Sequence, residues 1–397
     1  MSVALSDFIH AARWIAAFAV LLAHANVLIS LSDIMVVPHG PLVYVWWFVT
    51  AFSHQAVTVF FALSGFLVGG RVFAAIERQR PFLRAYFVDR VSRIYVVLIP
   101  ALALTFALDA VGRDLFAGAG VYELAGLQGA YEPSRILTTL AMQQHIWAGQ
   151  AGTNGPLWSL ACEFWYYLLF PLLLLPFARC YSETARLAAF FAGALLLLLL
   201  SLPSSRFPVG FAIWTMGALA ARAPRPLLRG KYLSFGLFLA VVIVARLVVR
   251  GPYVEAHPVL RDVAAALTAA AFANLLTTLR FCETGSHSRH MGLNRRLADF
   301  SFSLYATHMP IVFFFWAGTG HIFGKDWHKL LPTLAHWIAA ASLLLVALAM
   351  AWAFSRATEA RTPALRRMLH AAFAALDRRA RLGERSRWVG QGRAERL

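Results

Sequence analysis

Two ionisable side chains stand inside the first apolar stretch of the chain, at a spacing that would align them. Arg13 and His24 lie in HAARWIAAFAVLLAHANVLIS, which occupies residues 10–30. Eleven residues are close to three helical turns, so a helix would place both side chains on one face, about 16 Å apart along its axis. A cation and an imidazole aligned in a membrane-spanning helix are costly in lipid and typically mark a polar pathway. The alternative is an interfacial anchor at Arg13 and a hydrogen-bonded packing residue at His24.

Two more ionisable side chains lie inside later apolar stretches. Glu163 is in LWSLACEFWYYLLFPLLL, and His308 is in FSFSLYATHMPIV beside Pro310. Counted from the predicted ends of their spans, Glu163 and His24 both lie about six residues, or roughly 9 Å, below the same membrane surface. We predict that they pair, because burying either group alone would be costly, and a carboxylate would orient the imidazole as a general base. A purely structural pair joining two helices is the alternative. His308, expected nearer the middle of the membrane, is either a packing or kink residue or a functional one.

Arginines gather at the other end of the predicted spans. The second span descends through FFALSGFLVGG, so Ser64 and its neighbouring glycines arrive near the inner surface, where small residues allow close approach of a helix or a ligand. Arg71 follows directly, Arg90 and Arg93 lead into the third span, and Arg13 is at the same level. Guanidinium groups that converge at one mouth suit phosphate groups, which they bind through bidentate contacts. The simpler explanation is the general excess of basic residues in cytoplasmic loops.

The amino-acid composition indicates that these groups lie within a membrane. Hydrophobic residues make up 60% of the chain and charged residues 14%, whereas soluble domains carry about a quarter charged residues. Continuous apolar runs recur along the chain, which favours a polytopic α-helical membrane protein over a β-barrel. The net charge of +17 would suggest nucleic acid for a soluble protein. Because the arginines lie in short loops and in the tail, anionic lipid or an anionic cofactor is the better interpretation, without nucleic acid. The three cysteines lack metal-ligand spacing and a disulfide framework, and no metal site is predicted.

The apolar runs predict ten membrane spans. The loops on one side carry 16 Lys and Arg residues, those on the other side carry seven, and 11 arginines follow Ser355. The positive-inside rule then puts both termini in the cytoplasm. The first span is expected to be retained, although Ala23-His24-Ala25 imitates a signal-peptide cleavage site, because the preceding segment is poorly cationic. The predicted spans are roughly 10–30, 45–69, 93–111, 157–177, 185–202, 206–222, 232–250, 262–281, 298–318 and 333–355.

The predicted fold is therefore all-α, a bundle of about ten transmembrane helices over residues 1–356, followed by an arginine-rich cytoplasmic tail over 357–397. Within that tail, Ala364–Leu382 places apolar residues at helical spacing with arginines opposite. This pattern is typical of a helix that lies on an anionic membrane surface. A partner-binding helix, or disorder after Arg381, is the alternative.

Five stretches, in order along the chain, resemble the signatures of the acyltransferase-3 family, which are integral-membrane O-acyltransferases of bacteria. Arg13 and His24 match the family's basic-x10-His pattern in the first helix. Two late residues, Glu359 and Pro363, stand where the family often ends in Glu–Pro. The other matching stretches are VFFALSGFL at 59–67, FVDRVSRIYVVLIPAL at 87–102, PLWSLACEFWYYLLFPLLL at 156–174 and FSLYATHMPIV at 302–312.

The resemblance implies transfer of an acyl group, commonly acetyl from acetyl-CoA, to a sugar hydroxyl of an envelope or exported glycan, or of a small glycosylated metabolite. Acyl-CoA would be a co-substrate rather than a permanently bound cofactor, and the enzyme would lie in a bacterial inner membrane, in contact with lipid. His24 would be the base, supported by Glu163 and Arg13. The candidate donor-binding residues are Arg13, Ser64, Arg71, Arg90 and Arg93, and the candidate acceptor-binding residues are Trp158, Tyr166 and His308.

The chain departs from the family pattern in two places. Asp89 stands where an additional arginine is common, and no extended extracytoplasmic domain is expected after the tenth span. From the residues alone, two other functions stay open. A transporter or flippase could use the same His, Arg and Glu side chains as a proton relay, although inverted repeats are not visible in the sequence. A membrane anchor would leave those buried ionisable groups unexplained.

Overall fold

The computed structural model of the protein describes residues 2–29, 38–249, 257–282 and 291–375, and this part of the chain is all-α with no β-strand. Eight of its helices are long and apolar enough to cross a membrane, and a ninth span results if one helix pair bent by 50° counts as one. The predicted all-α polytopic bundle is confirmed. We call the arginine-rich side of the bundle inner and the opposite side outer.

Each predicted span overlaps a helix, although several ends are displaced, and the observed bounds fix the level of each polar side chain. A short helix precedes the second span, and a one-turn gap separates the two. In chain order they are α1 (Val3–Ala25), α2 (Pro41–Val49), α3 (Ser53–Ser64), α4 (Gly70–Glu77), α5 (Leu83–Leu115), α6 (Pro133–Leu140), α7 (Trp158–Leu174), α8 (Glu183–Ser201), α9 (Arg206–Ala220), α10 (Lys231–Val249), α11 (Pro258–Arg280), α12 (Met291–Ala298), α13 (Ser301–Phe323) and α14 (Leu334–Ala357).

Two predicted spans differ in length from their helices. The sixth, predicted at 206–222, is α9, whose 15 residues extend about 22 Å and fall short of a hydrocarbon core of about 30 Å. The third, predicted at 93–111, is the 33-residue α5. The segment that holds Arg84, Arg90 and Arg93 was predicted to be a loop and is helical instead. Its arginines are therefore held at fixed positions on a helix.

The second span contains a π-helical turn at Gly65–Gly69, between α3 and α4. This turn packs directly on α9, because a Cβ at Gly65 would overlap the carbonyl of Trp214, and one at Gly217 would overlap the carbonyl of Ala62. The predicted close approach at the small residues is therefore between two helices. π-Turns inside α-helices are frequent at functional sites, and here the turn begins directly after Ser64.

The chain continues as a helix over residues 362–375 beyond the last span. The amphipathic helix predicted for Ala364–Leu382 thus overlaps a helix as far as residue 375, and its remainder lies outside the described residues.

Candidate active site

Two imidazoles meet at the outer end of the bundle. His24 is the last residue but one of α1, and His308 lies in α13, where only 1% of its surface is exposed. His308 Nε2 is 3.2 Å from His24 Nδ1, and the ring centroids are 5.0 Å apart. Sequence reasoning named both residues but did not pair them.

Backbone carbonyls decide which ring nitrogens carry protons. His308 Nδ1 is 2.8 Å from Tyr305 O, and His24 Nδ1 is 2.9 Å from Val20 O. A carbonyl oxygen only accepts, so both Nδ1 atoms carry hydrogen. His308 Nε2 then accepts from the His24 Nδ1–H, which it shares with Val20 O. His24 Nε2 keeps its lone pair and has no hydrogen-bond partner among the described residues, which is the state that a general base requires.

The predicted pair of His24 with Glu163 does not form in the described structure. Tyr167 donates its hydroxyl hydrogen to Glu163 Oε1 at 2.5 Å. Ser64 Oγ lies 3.1 Å from that hydroxyl and accepts from Trp214 Nε1 at 3.1 Å. Glu163 therefore ends a chain of hydrogen bonds that joins α3, α7 and α9.

The error came from the estimated depths. Ser159 of α7 and Tyr305 of α13 share a hydrogen bond of 2.5 Å and so lie at one level. Glu163 follows Ser159 by four residues inward, and His308 follows Tyr305 by three residues outward. At 1.5 Å per residue, Glu163 lies about 10 Å deeper than the histidines. The sequence estimate let the first helix run to residue 30, whereas α1 ends at Ala25.

Arg13 has a carboxylate partner that sequence reasoning left without a role. Its Nη2 atom lies 3.7 Å from Glu359 Oε1, and the side chains are only 21% and 11% exposed. Glu359 Oε2 also accepts hydrogen bonds from the backbone N–H and the hydroxyl of Ser303. The signal was present in the sequence, because a buried arginine requires a carboxylate to balance it.

The inner arginine cluster consists of Arg71, Arg90 and Arg93. The Arg90 guanidinium lies 5.9 Å from the ring centre of Tyr167, and that of Arg93 lies 5.8 Å from the ring centre of Phe302. Arg90 is 8% exposed, and within the described residues its Nε has no hydrogen-bond partner. None of the three forms an ion pair with another described residue. A buried guanidinium whose N–H donors are not all used can bind an anion.

The predicted acceptor residues occupy different environments. Trp158 lines a cavity of about 210 Å³ near the outer ends of α3, α7, α9 and α11. Tyr166 is completely buried and donates to Phe207 O at 2.8 Å, so it supports the cavity wall from behind. Gln55 is 5% exposed on this wall, and its Oε1 has no partner in the described part of the chain. An ion pair of 3.9 Å joins Arg261 and Asp262 on the same wall.

Two prolines help to fix the site residues. A proline has no N–H for the carbonyl four residues earlier, and for Pro310 this is Ala306 O. Asn154 Nδ2 donates to that oxygen at 2.9 Å. Pro171 likewise frees Tyr167 O, and the Tyr86 hydroxyl donates to it at 3.0 Å. Side chains from elsewhere in the fold thus replace the missing helix hydrogen bonds next to His308 and Tyr167.

These groups form a polar column through the bundle. From the inner side, the arginine cluster is followed by the Arg13–Glu359 pair, then by Glu163 with Tyr167, then by Tyr305, and finally by the two histidines. The fold and the site together define a multi-pass helical membrane protein with a cationic inner mouth and a pair of histidines at its outer end.

The comparisons with known proteins give this class its family. A family model described as an acyltransferase domain matches residues 6–356, and the chain belongs to this acyltransferase-3 family. The predicted family is confirmed, and it places the chain among acyltransferase enzymes.

Two relatives match part of the chain. An uncharacterized protein of Haemophilus influenzae is 30% identical over 160 residues, which cover 38% of this chain and 61% of that protein. Acyltransferase MdmB of Streptomyces mycarofaciens is 32% identical over 166 residues, which cover 40% of this chain and 37% of that protein. The matches therefore span less than two thirds of either relative. No solved structure matches the chain.

Proposed function

We propose that the protein transfers an acyl group, with acetyl as the favoured one, from acyl-CoA on the inner side to a sugar hydroxyl of an envelope or exported glycan. The observation that carries the proposal is the contact of His24 with His308 and with Val20 O, which leaves Nε2 of His24 available as a base at the outer end of a column that begins with Arg71, Arg90 and Arg93. A bacterial inner membrane is the location that this direction of transfer requires.

The chemistry at His24 follows from its tautomer. Nε2 takes the proton of the acceptor hydroxyl while the hydroxyl oxygen attacks the thioester carbonyl. The C–S bond then breaks, and the thiolate of CoA leaves and takes up the proton from His24. His308 Nε2 faces the Nδ1–H of His24 and stabilises the positive charge that the imidazole carries between these steps.

The inner arginine cluster suits the donor. CoA carries a diphosphate and a separate phosphate, and three guanidinium groups offer bidentate contacts to them. Arg13 lies about 16 Å from His24 along α1, the length of roughly five extended residues. The amide-linked arm between the phosphates and the thiol of CoA is of this scale. Donor phosphates at the inner mouth would therefore bring the thioester towards His24.

The outer cavity suits a sugar. Trp158 offers an aromatic face, Gln55 an unpaired carbonyl oxygen, and Arg261 with Asp262 paired donors and acceptors. A sugar presents both apolar C–H faces and hydroxyl groups, so it can contact an aromatic face and paired donors and acceptors at the same time. Its position at the outer ends of the helices supports an acceptor beyond the membrane.

The test is His24→Ala in the purified full-length protein, measured by CoA release and by acyl transfer to glycans extracted from a deletion strain. We expect a loss of about 10²–10⁴-fold, as for removal of one general base. His328→Ala, in an outer loop, is the matched histidine control. A well-folded His24→Ala protein with full activity would refute the role of His24.

The transport alternative gives a different result in the same assay. A transporter or flippase would move its solute in proteoliposomes without release of free CoA. Acyl-CoA consumption that depends on His24 and on an acceptor is expected here and would exclude the alternative.

A further inference from the structure

The helix at residues 362–375 packs along the inner part of α5. Arg366 Nε is 2.9 Å from Asp89 Oδ1, and His370 Nε2 is 3.4 Å from the same oxygen. One to two turns further, the guanidinium of Arg84 lies 4.8 Å from the ring centre of Phe373. The two helices run in opposite directions, so successive tail residues meet successively earlier residues of α5.

Asp89 stands at the edge of the inner arginine cluster. It directly precedes Arg90 and lies one helical turn before Arg93, on the same face of α5. Arg71 is close enough to both Asp89 and Arg366 to interact with them electrostatically. A carboxylate at this position would repel an approaching phosphate and offset one of the cations, unless a positive charge balances it.

We propose that Arg366 completes the binding site for the donor phosphates by neutralising Asp89, which makes the tail helix a part of the donor site. This inference rests on the proposed function, because it takes acyl-CoA to be the ligand of the inner cluster. Arg366 acts as a positioning and charge-balancing residue, since its guanidinium forms an ion pair with the carboxylate. The cluster then faces the phosphates with the charges of Arg71, Arg90 and Arg93 intact.

The neighbouring arginine provides a matched control. Arg367 is exposed, whereas Arg366 is half-buried against Asp89. Arg366→Ala and Arg367→Ala therefore remove the same charge from the same helix, one residue apart. If the tail acted only through its overall positive charge, for instance on anionic lipid, the two variants would behave alike.

The experiment measures KM for acetyl-CoA and kcat in the full-length protein, together with the affinity of free CoA by calorimetry. We expect Arg366→Ala to raise KM and weaken CoA binding by roughly three- to tenfold, because the pair is partly exposed. Arg367→Ala should change neither. Asp89→Asn should restore most of the binding lost in Arg366→Ala, because no carboxylate then remains to be neutralised.

Two results would overturn the inference: equal behaviour of the two arginine variants, or a loss in Arg366→Ala that Asp89→Asn does not repair. Calorimetry separates these results from a failure of the proposed function. If the wild-type protein binds CoA but transfers no acyl group, the proposed reaction fails while the tail can still be judged. If it does not bind CoA at all, both proposals fall together.

Discussion

The two ends of the polar column hold their ionisable groups in different ways. At the inner end, Arg13 is paired with Glu359, and three further arginines form no ion pair within 4 Å with a described carboxylate, while Glu359 also interacts electrostatically with Arg93. At the outer end, His24 and His308 are held by backbone carbonyls and by each other, and no carboxylate of the described part of the chain bonds to either ring. The inner end of the column thus carries several positive charges, whereas the outer end carries two histidines without a charged partner.

In the proposed function, this difference separates donor binding from proton transfer. A charged donor is attracted by an excess of cations, so the inner end gains from net positive charge. A general base needs a lone pair, and a neutral imidazole provides one without a counter-ion in a poorly hydrated place. A carboxylate beside His24 would favour its protonated form, and the structure places Glu163 about 10 Å deeper instead.

The largest effect is expected from breaking the inner ion pair. Glu359→Gln leaves Arg13 as a mostly buried cation without its partner, and breaking a buried pair in this way is strongly destabilising. Because the side chains retain some exposure, we expect the free energy of unfolding to fall by about 2–3 kcal/mol. Thermal unfolding in detergent measures the change.

The double variant Arg13→Met with Glu359→Met sharpens this comparison. It buries no unpaired charge, so most of the stability should return, while donor affinity should fall below that of the wild type because the Arg13 cation is then missing from the column. If the double variant binds the donor as tightly as the wild type, Arg13 is a structural residue only.

A smaller effect is expected from the outer pair. His308→Ala removes the acceptor that fixes the Nδ1–H of His24, and loss of such an orienting partner typically costs about 10–100-fold. We expect this loss in kcat, with KM for acyl-CoA unchanged, because the arginine cluster is not disturbed. A change confined to KM would contradict the assignment.

The sequence predicted much of the frame of this site. Apolar runs set the spans, and the spacing of Arg13 and His24 put them on one helix face, because helical geometry depends on local sequence alone. The pairing failed where it depended on helix ends. The predicted outer end of α1 was a few residues too late, which misplaced His24 by one to two turns relative to Glu163. Span boundaries are the least reliable part of such predictions.

Contacts between distant segments could not be predicted from one sequence. Glu359 follows Arg13 by more than three hundred residues, and Arg366 meets Asp89 across most of the chain. Glu359 reaches Arg13 because α14 packs beside α1, and Arg366 reaches Asp89 because the tail helix packs along α5. What the sequence does provide is the requirement for a partner, because a buried arginine or an unpaired carbonyl before a proline must be satisfied.

The proline-freed carbonyl next to His308 provides a more local test. Asn154→Leu leaves Ala306 O without a donor and should lower the free energy of unfolding by about 1–3 kcal/mol. Pro310→Ala supplies an N–H four residues after Ala306, so it should reduce the loss caused by Asn154→Leu. A double-mutant cycle on thermal unfolding measures the coupling, and independent, additive losses would refute the link.

The smallest effect is expected at His328, a histidine of the outer loops that lies among charged side chains, unlike His24 and His308. Burial, and then the nearby Lys329, lower the pKa of His328 below its ordinary value near 6.5. Above that value His328 is neutral in both the folded and the unfolded state. As the pH falls below 6.5, the unfolded state takes up the proton first, so stability is lost until the pH has passed the lowered pKa of the folded state. The unfolding temperature of the wild type should therefore fall more between pH 7.5 and pH 5 than that of His328→Gln, and parallel curves would show that this histidine does not contribute.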